Sequence, residues 1–248
     1  MKKKRLKAIF FDVDDTLYSS SEFSAMARLN SVKAMISNGL RVELKECLLI
    51  LKEIMKENKS NNKFLFDDLL KKVGKKYYSS VNKHVLIAAA VVAYHNTKNS
   101  FLKPYPDVKE VLKLLSETMP LVLGVLSSGF AVKQAEKIYR CGLHRYLSPN
   151  AIFFSETIGK DKPNLDFFRL PCAKLNLLPQ ETIYVGDRPK IDIEPAKAIG
   201  MVAILNQRSG KYLGQRSNVK PDFIIHDFWE LLEILNRHFE ILPLSEAT

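Results

Sequence analysis

Asp12-Val13-Asp14-Asp15-Thr16 places three carboxylates within four residues, directly behind the short apolar run Leu6-Lys7-Ala8-Ile9-Phe10-Phe11. Carboxylates so crowded repel one another unless a cation or a proton is shared among them. Stabilising a fold does not call for this cluster. A hard, oxygen-preferring divalent ion explains it, and magnesium typically takes one or two carboxylates together with water and phosphate oxygens. Taken alone, an acidic turn after a strand is equally well a solvated loop. The residues behind the other apolar runs strengthen the case. Leu121–Leu126 leads directly into Ser127-Ser128-Gly129, small donors at the mouth of a helical pattern. Gly159-Lys160-Asp161-Lys162-Pro163 offers a lysine in a loop, and Gly186-Asp187-Arg188-Pro189-Lys190-Ile191-Asp192 brings a second pair of acids. A nucleophile, a hydroxyl, an ammonium and a metal-binding acid make a set of parts for phosphoryl transfer, where positioning and charge neutralisation do most of the work.

Those parts must be delivered by the elements between them. Leu6–Phe11 reads as a buried strand, with further strands at Leu121–Leu126, Ala151–Phe154, Thr182–Val185 and Met201–Leu205 and a weaker one at Phe223–Ile225. Helical patterns alternate with them at Val108–Glu117, Ala131–Tyr139, Leu165–Leu175 and Ile191–Ile199. This alternation predicts an α/β fold, a doubly wound parallel sheet with helices on both faces. Strands buried on both faces are continuously apolar, as these are. Residues 18–100 differ. They contain no proline, show apolar residues at helical spacing (Met26, Leu29, Val32, Met35, Ile36), and carry the polar stretch Asn58–Lys63 as a loop between helices. They read as an all-helical insert, so the expected domains are an α/β core of residues 1–17 and 101–248 and a helical cap of residues 18–100.

Composition narrows the function classes. The 248 residues are 46% apolar and 26% charged, enough to bury a core. The longest apolar stretch, Val85–Tyr94, is ten residues, about half of the ~20 a membrane span needs. Three widely spaced cysteines (Cys47, Cys141, Cys172) form neither a disulfide framework nor a zinc pattern, and the basic start Met1–Arg5 lacks a cleavage site behind it, so a reducing cytoplasm is the expected location. The net charge of +11 is spread along the chain, with no nucleic-acid-binding signature beside it, and reads as a solvated lysine-rich surface. No nucleic-acid or membrane partner is expected.

The ordered set Asp12-x-Asp14-x-Thr16, Ser127, Lys162-Pro163 and Gly186-Asp187-x(4)-Asp192 resembles the four motifs of the haloacid dehalogenase superfamily, and the insert resembles the helical cap of its subfamily I. Tyr94-His95-Asn96-Thr97-Lys98 is similar to a stretch in an archaeal-type group that includes glyceraldehyde-3-phosphate phosphatases. The resemblance implies that Asp12 is a nucleophile forming an aspartyl phosphate and that Asp14 is the general acid and then base. It implies Mg²⁺ held by Asp12, the main-chain carbonyl of Asp14 and Asp187, with Asp192 helping. Ser127, Ser128 and Lys162 would contact the phosphoryl group or substrate, Thr16 would steady the nucleophile turn, and a mobile cap would exclude water and read the leaving group. Asp14 favours phosphate-ester chemistry over carbon–halogen cleavage. The expected protein is a Mg²⁺-dependent phosphatase of small phosphorylated metabolites, a monomer or homodimer. The alternatives are a phosphomutase acting on a sugar phosphate and a binding module of this fold with weak turnover.

Two departures stand out: Ser128 occupies a position where asparagine is common, and Asp15 one where glycine is common. Lys162 is preferred to Lys160 because Pro163 follows it, as in the pattern of the family the chain resembles. Gly124-x(4)-Gly129 has P-loop spacing but lacks the Lys-Ser/Thr that must follow. The five histidines show no ligand spacing; His95 is the one placed to face a cleft, and Arg28 and Lys98 are alternative substrate contacts or solvated residues. Asp161 and Asp166 read as loop and helix-cap residues.

Overall fold

The computed structural model describes residues 3–57, 64–215 and 217–242. The chain divides into two compact units, Met1–Ser20 with Lys103–Thr248, and Ser21–Leu102.

The first unit opens with β1 (Lys4–Leu6) and β2 (Ala8–Phe11). The sequence pattern predicts one strand here. The break falls at Lys7, whose N–H donates to the Glu181 carbonyl at 2.9 Å and whose ammonium pairs with the Glu181 carboxylate. β1 therefore leaves the main sheet and pairs elsewhere.

The second unit is all-helical. It holds α1 (Ser20–Ser37, starting at the boundary), α2 (Leu44–Glu57), α3 (Leu65–Val73) and α4 (Lys83–Phe101). Val32 and Met35 of the predicted periodic set are fully buried, packed with Leu51, Ile54, Leu69, Leu70 and Leu86. Ser31 donates to the Ala27 and Ala90 carbonyls, tying α1 to α4. Asn82 caps α4 by accepting from the His84 N–H. The Asn58–Lys63 loop lies outside the described residues. No described helix is long and apolar enough to cross a membrane.

The first unit resumes with α5 (Pro106–Thr118), β3 (Val122–Ser127), α6 (Ala131–Arg140), β4 (Ile152–Phe154), the single turn α7 (Ser155–Ile158) and α8 (Leu165–Lys174). Then come β5 (Thr182–Gly186), α9 (Glu194–Ala198), β6 (Val202–Asn206) and β7 (Phe223–Ile225). Two elements beyond the predicted set close it, α10 (Phe228–His238) and β8 (Phe239–Ile241). Asp227 caps α10 by accepting from the Glu230 N–H, and Phe228, Leu231 and Leu235 form its buried stripe. β8 pairs in parallel with β1.

The doubly wound sheet is present as predicted: six parallel strands in the order β4-β3-β2-β5-β6-β7. The chain builds outward from β2 to one side, then returns to build on the other. β2 is thus the topological switch point, and ligands in such sheets bind outside the carboxyl ends of the strands there. Phe11, the last residue of β2, lies opposite Val125 of β3 and Val185 of β5, so three strands end at nearly the same level. Ala8, Phe10, Tyr184 and Ala203 pack on one face with Phe167 and Phe168 of α8.

Candidate active site

At the carboxyl end of β2 the Asp12 N–H continues the ladder by donating to the Val185 carbonyl at 2.9 Å, which fixes the Asp12 backbone. One carboxylate oxygen from each of Asp12, Asp187 and Asp192 lies within 4.8 Å of the others, and all three residues are buried. Lys162 enters this group from the loop before α8. Its ammonium donates to Asp12 Oδ1 at 2.6 Å and to Asp192 Oδ1 at 2.7 Å, and its side chain is 3% exposed. That contact distinguishes Lys162 from Lys160.

The turn after β5 builds the Asp192 position. A wide π-type turn, Pro189–Ile193, precedes α9, where the sequence predicts a plain helix from Ile191. The Ile193 N–H reaches back to the Arg188 carbonyl at 3.3 Å and the Glu194 N–H to that of Pro189, both five residues back, and Pro195 adds no N–H of its own. Such insertions recur at functional sites. The turn carries Asp192 back to the strand end, where it accepts from the Arg188 N–H at 3.0 Å and the Tyr184 hydroxyl at 3.2 Å. Gly186 makes room for it: a Cβ there would sit 2.7 Å from the Asp192 Cβ and Cγ. Gly186→Ala is therefore expected to cost about 1–3 kcal/mol through overpacking. It should also weaken any metal-dependent rise in melting temperature; thermal melts with and without a divalent ion check both.

The charges decide what this centre can hold. Asp14 is paired with Lys137 and Asp15 with Lys211, at 2.6 Å and 3.0 Å. Asp12, Asp187 and Asp192 are left to share Lys162, three carboxylates against one ammonium. Asp187 has no hydrogen-bond or ion-pair partner among the described residues, and burial, then Asp12 and Asp192, push its carboxyl up to about 8. Burial likewise raises Asp12 to about 6, against the lowering influence of Lys162. Burial alone would depress Lys162, yet Asp12 and Asp192 hold its ammonium above the ordinary lysine value. With all three carboxyls ionised the centre would carry two excess negative charges on hard oxygens, and the raised Asp187 and Asp12 carboxyls reflect the cost of that state without a counter-ion; a divalent cation of the magnesium type fits the donor set.

The remaining predicted residues fall around this centre. Ser127 ends β3, is 1% exposed, and its hydroxyl has no hydrogen-bond partner among the described residues. The Ser128 hydroxyl donates to Asp161 Oδ1, which also accepts from the Lys162 N–H at 2.9 Å. Asp161, though exposed, thus ties the lysine loop to the β3 loop. Asp166 sits in the first turn of α8, whose cap is Asn164. Thr16 is wholly buried and its hydroxyl has no partner among the described residues; its carbonyl accepts from the Asn206 amide at 3.3 Å. Asp15 adopts φ +57°, in the left-handed region that glycine enters most readily. The helix mouth behind Ser128 is largely spoken for. The Gly129 N–H donates to the Ser155 hydroxyl and the Ala131 N–H to Glu156, both from α7.

Three residues outside the predicted set meet Asp14. Lys137 contacts both carboxylate oxygens, the Tyr18 hydroxyl donates to Oδ1 at 2.5 Å, and the Gln134 amide lies 3.5 Å from Oδ2. Their only sequence signal is the three-residue spacing of Gln134 and Lys137, which places them on one helix face.

Sheet and site together define an α/β enzyme core with a lysine-bridged acidic centre at its switch point. The chain belongs to the haloacid dehalogenase-like hydrolase family, whose model matches residues 9–205. It is 40% identical over 230 residues to the glyceraldehyde 3-phosphate phosphatase of Methanocaldococcus jannaschii, covering 93% of this chain and 97% of that one. It is 43% identical over 235 residues to the protein of the same name from Methanopyrus kandleri, again covering 93% and 97%. The crystal structure of a phosphatase of this superfamily from Thermococcus onnurineus matches with a TM-score of 0.64 at 22% identity, over 93% of this chain and 98% of that one.

Proposed function

We propose that this protein is a Mg²⁺-dependent phosphatase that hydrolyses small phosphorylated metabolites through an aspartyl phosphate on Asp12, with glyceraldehyde 3-phosphate the first substrate to test. The observation that carries the reading is the buried cluster of Asp12, Asp187 and Asp192 around Lys162, three carboxyl groups that a single ammonium cannot neutralise when all are ionised. The names of the archaeal relatives support the substrate class. Residues 18–100 are proposed as the cap domain and residues 1–17 with 101–248 as the catalytic core.

Asp12 attacks phosphorus through a carboxylate oxygen; the P–O bond to the leaving alcohol breaks, and Asp14 supplies the proton that oxygen needs. Asp14 then takes a proton from the water that attacks phosphorus and frees Asp12. The Ser127 hydroxyl and the Lys162 ammonium hold the phosphoryl oxygens. Ser128 holds Asp161 and through it the Lys162 loop, and Thr16 packs beneath the nucleophile turn. Asp12, Asp187, Asp192 and the Asp14 carbonyl would hold Mg²⁺, which when bound offsets the charge of nucleophile and phosphoryl group. Fixed charges aimed at the reacting group in this way are often the largest catalytic contribution.

The test is phosphate release from a panel of phosphorylated metabolites with Mg²⁺, with Ca²⁺ and with EDTA. Release from a few small esters with Mg²⁺, little with Ca²⁺ and none with EDTA is expected, because calcium's larger and looser sphere misplaces the nucleophile. Transfer of ³²P to a sugar hydroxyl instead of water would favour the mutase. No turnover of any ester would favour the binding module.

The raised carboxyls add a pH signature. Asp12 and Asp187 bind protons more tightly folded than unfolded, so their contribution to stability is fully present below the ordinary carboxyl value near 4. It is lost as pH rises toward 8. In EDTA the melting temperature should fall between pH 5 and pH 8, and Mg²⁺ should raise it most at the upper end. A flat profile in EDTA would contradict the charge excess.

A further inference from the structure

We propose that Lys137 is a positioning residue that, with Tyr18, orients the carboxylate of Asp14 so that its Oδ2 handles the proton; this rests on the acid–base role given to Asp14 above. A carboxylate offers about four lone-pair sites. Oδ1 uses two, accepting from the Tyr18 hydroxyl at 2.5 Å and from Lys137 Nζ at 2.8 Å. Oδ2 uses one, accepting from the same ammonium at 2.6 Å, while the Gln134 amide at 3.5 Å is at the limit of reach. The two oxygens are therefore not equivalent: one is saturated and the other keeps a site for a proton exchanged with the leaving oxygen or with water.

The clamp is itself held. Tyr18 is 1% exposed and cannot swing out. Lys137 and Gln134 share a face of α6, and the Gln134 amide is anchored on the Ser128 carbonyl at 2.7 Å. The first turn of α6 is pinned by Ser155 and Glu156 from α7. An exposed ion pair would be worth little and would move freely. This pair bridges 123 residues of sequence, and its lysine side chain is only 22% exposed. Removing the ammonium would leave Asp14 held by the Tyr18 hydroxyl and the long Gln134 contact, a looser hold on its orientation.

The experiment measures kcat/KM for an alkyl phosphate and for p-nitrophenyl phosphate in the wild type and in Lys137→Met, Lys137→Arg, Tyr18→Phe and Asp14→Asn. This ratio covers steps only up to departure of the leaving group, and p-nitrophenolate departs with little need of a proton. Lys137→Met is expected to lower kcat/KM for the alkyl ester about 10–100-fold, part of the roughly 10²–10⁴-fold that general acid catalysis supplies, since Asp14 itself remains. For the aryl ester the loss should be no more than about threefold. Lys137→Arg should restore most of the alkyl activity, since its fork can also engage both carboxylate oxygens. Tyr18→Phe keeps the packed ring, removes only the hydroxyl, and should show the same leaving-group bias more weakly. Added to Asp14→Asn, Lys137→Met should cost nothing further. Equal loss on both esters in Lys137→Met and Tyr18→Phe, or a full additional loss in the double variant, would overturn the proposal. Wild-type activity in Asp14→Asn on both esters would instead remove the acid–base reading beneath it.

Discussion

Replacing Asp12 by asparagine is expected to lower turnover by at least about 10⁴-fold while the melting temperature stays within a few degrees, the size of loss seen when a covalent nucleophile is removed. Asparagine is nearly isosteric, and its amide oxygen can still accept from Lys162, so the packing around a 10%-exposed side chain survives. What disappears is the anionic oxygen that attacks phosphorus. The assignment also fits the charge state of the centre: with its carboxyl raised by burial to about 6, against the lowering influence of Lys162, Asp12 is mostly ionised at pH 7. Its elevated value adds nucleophilicity without leaving it protonated. The measurements are phosphate release, a thermal melt, and acid quench with a ³²P-labelled ester, which should label the wild type and leave the variant unlabelled. Residual activity above about 1%, or label retained in the variant, would place the nucleophile elsewhere.

The sequence made this centre legible because a parallel sheet does the positioning. Acids that follow buried apolar runs are delivered to one edge of such a sheet, and the family resemblance then singled out Asp12, Asp187 and Asp192 among them without any knowledge of side-chain conformation. Lys162 was readable from its proline neighbour. Contacts made by helix side chains were not, since spacing puts Gln134 and Lys137 on one face of α6 but says nothing about how that helix is rotated toward Asp14. The pairing of β1 with β8 was equally hidden: two three-residue strands far apart in the chain carry no periodicity long enough to read. The π-type turn escaped because proline at 189 and 195 marks a disturbed helix without revealing which hydrogen bond is lengthened. α10 had a readable signal in Asp227 and the spacing of Phe228, Leu231 and Leu235.

Lys162→Met should separate the stability of the centre from its catalysis. Among the described residues the lysine is the cation paired inside a cluster of three buried carboxyls, and breaking a buried pair by removing one partner costs about 3–5 kcal/mol. For a chain of this size that is roughly 6–20 °C in melting temperature, measured in EDTA at pH 8. The pH dependence should steepen as well. Asp12 loses the influence that lowers its carboxyl, so its folded-state proton affinity climbs further above that of the unfolded chain. A carboxyl raised in this way stabilises the fold fully below about pH 4 and progressively less as pH rises, so the variant should recover most of its deficit by about pH 5.5. Mg²⁺ at pH 8 should restore stability too, because a divalent ion can stand in for the missing ammonium as a counter-charge. It should not restore turnover, since the methionine offers no donor to the phosphoryl oxygens and the loop held by Asp161 no longer ends in a charge. A variant with wild-type stability in EDTA at pH 8 would show that Lys162 does not neutralise the buried carboxyls of this centre, and the case for a divalent cation at this site would fall with it.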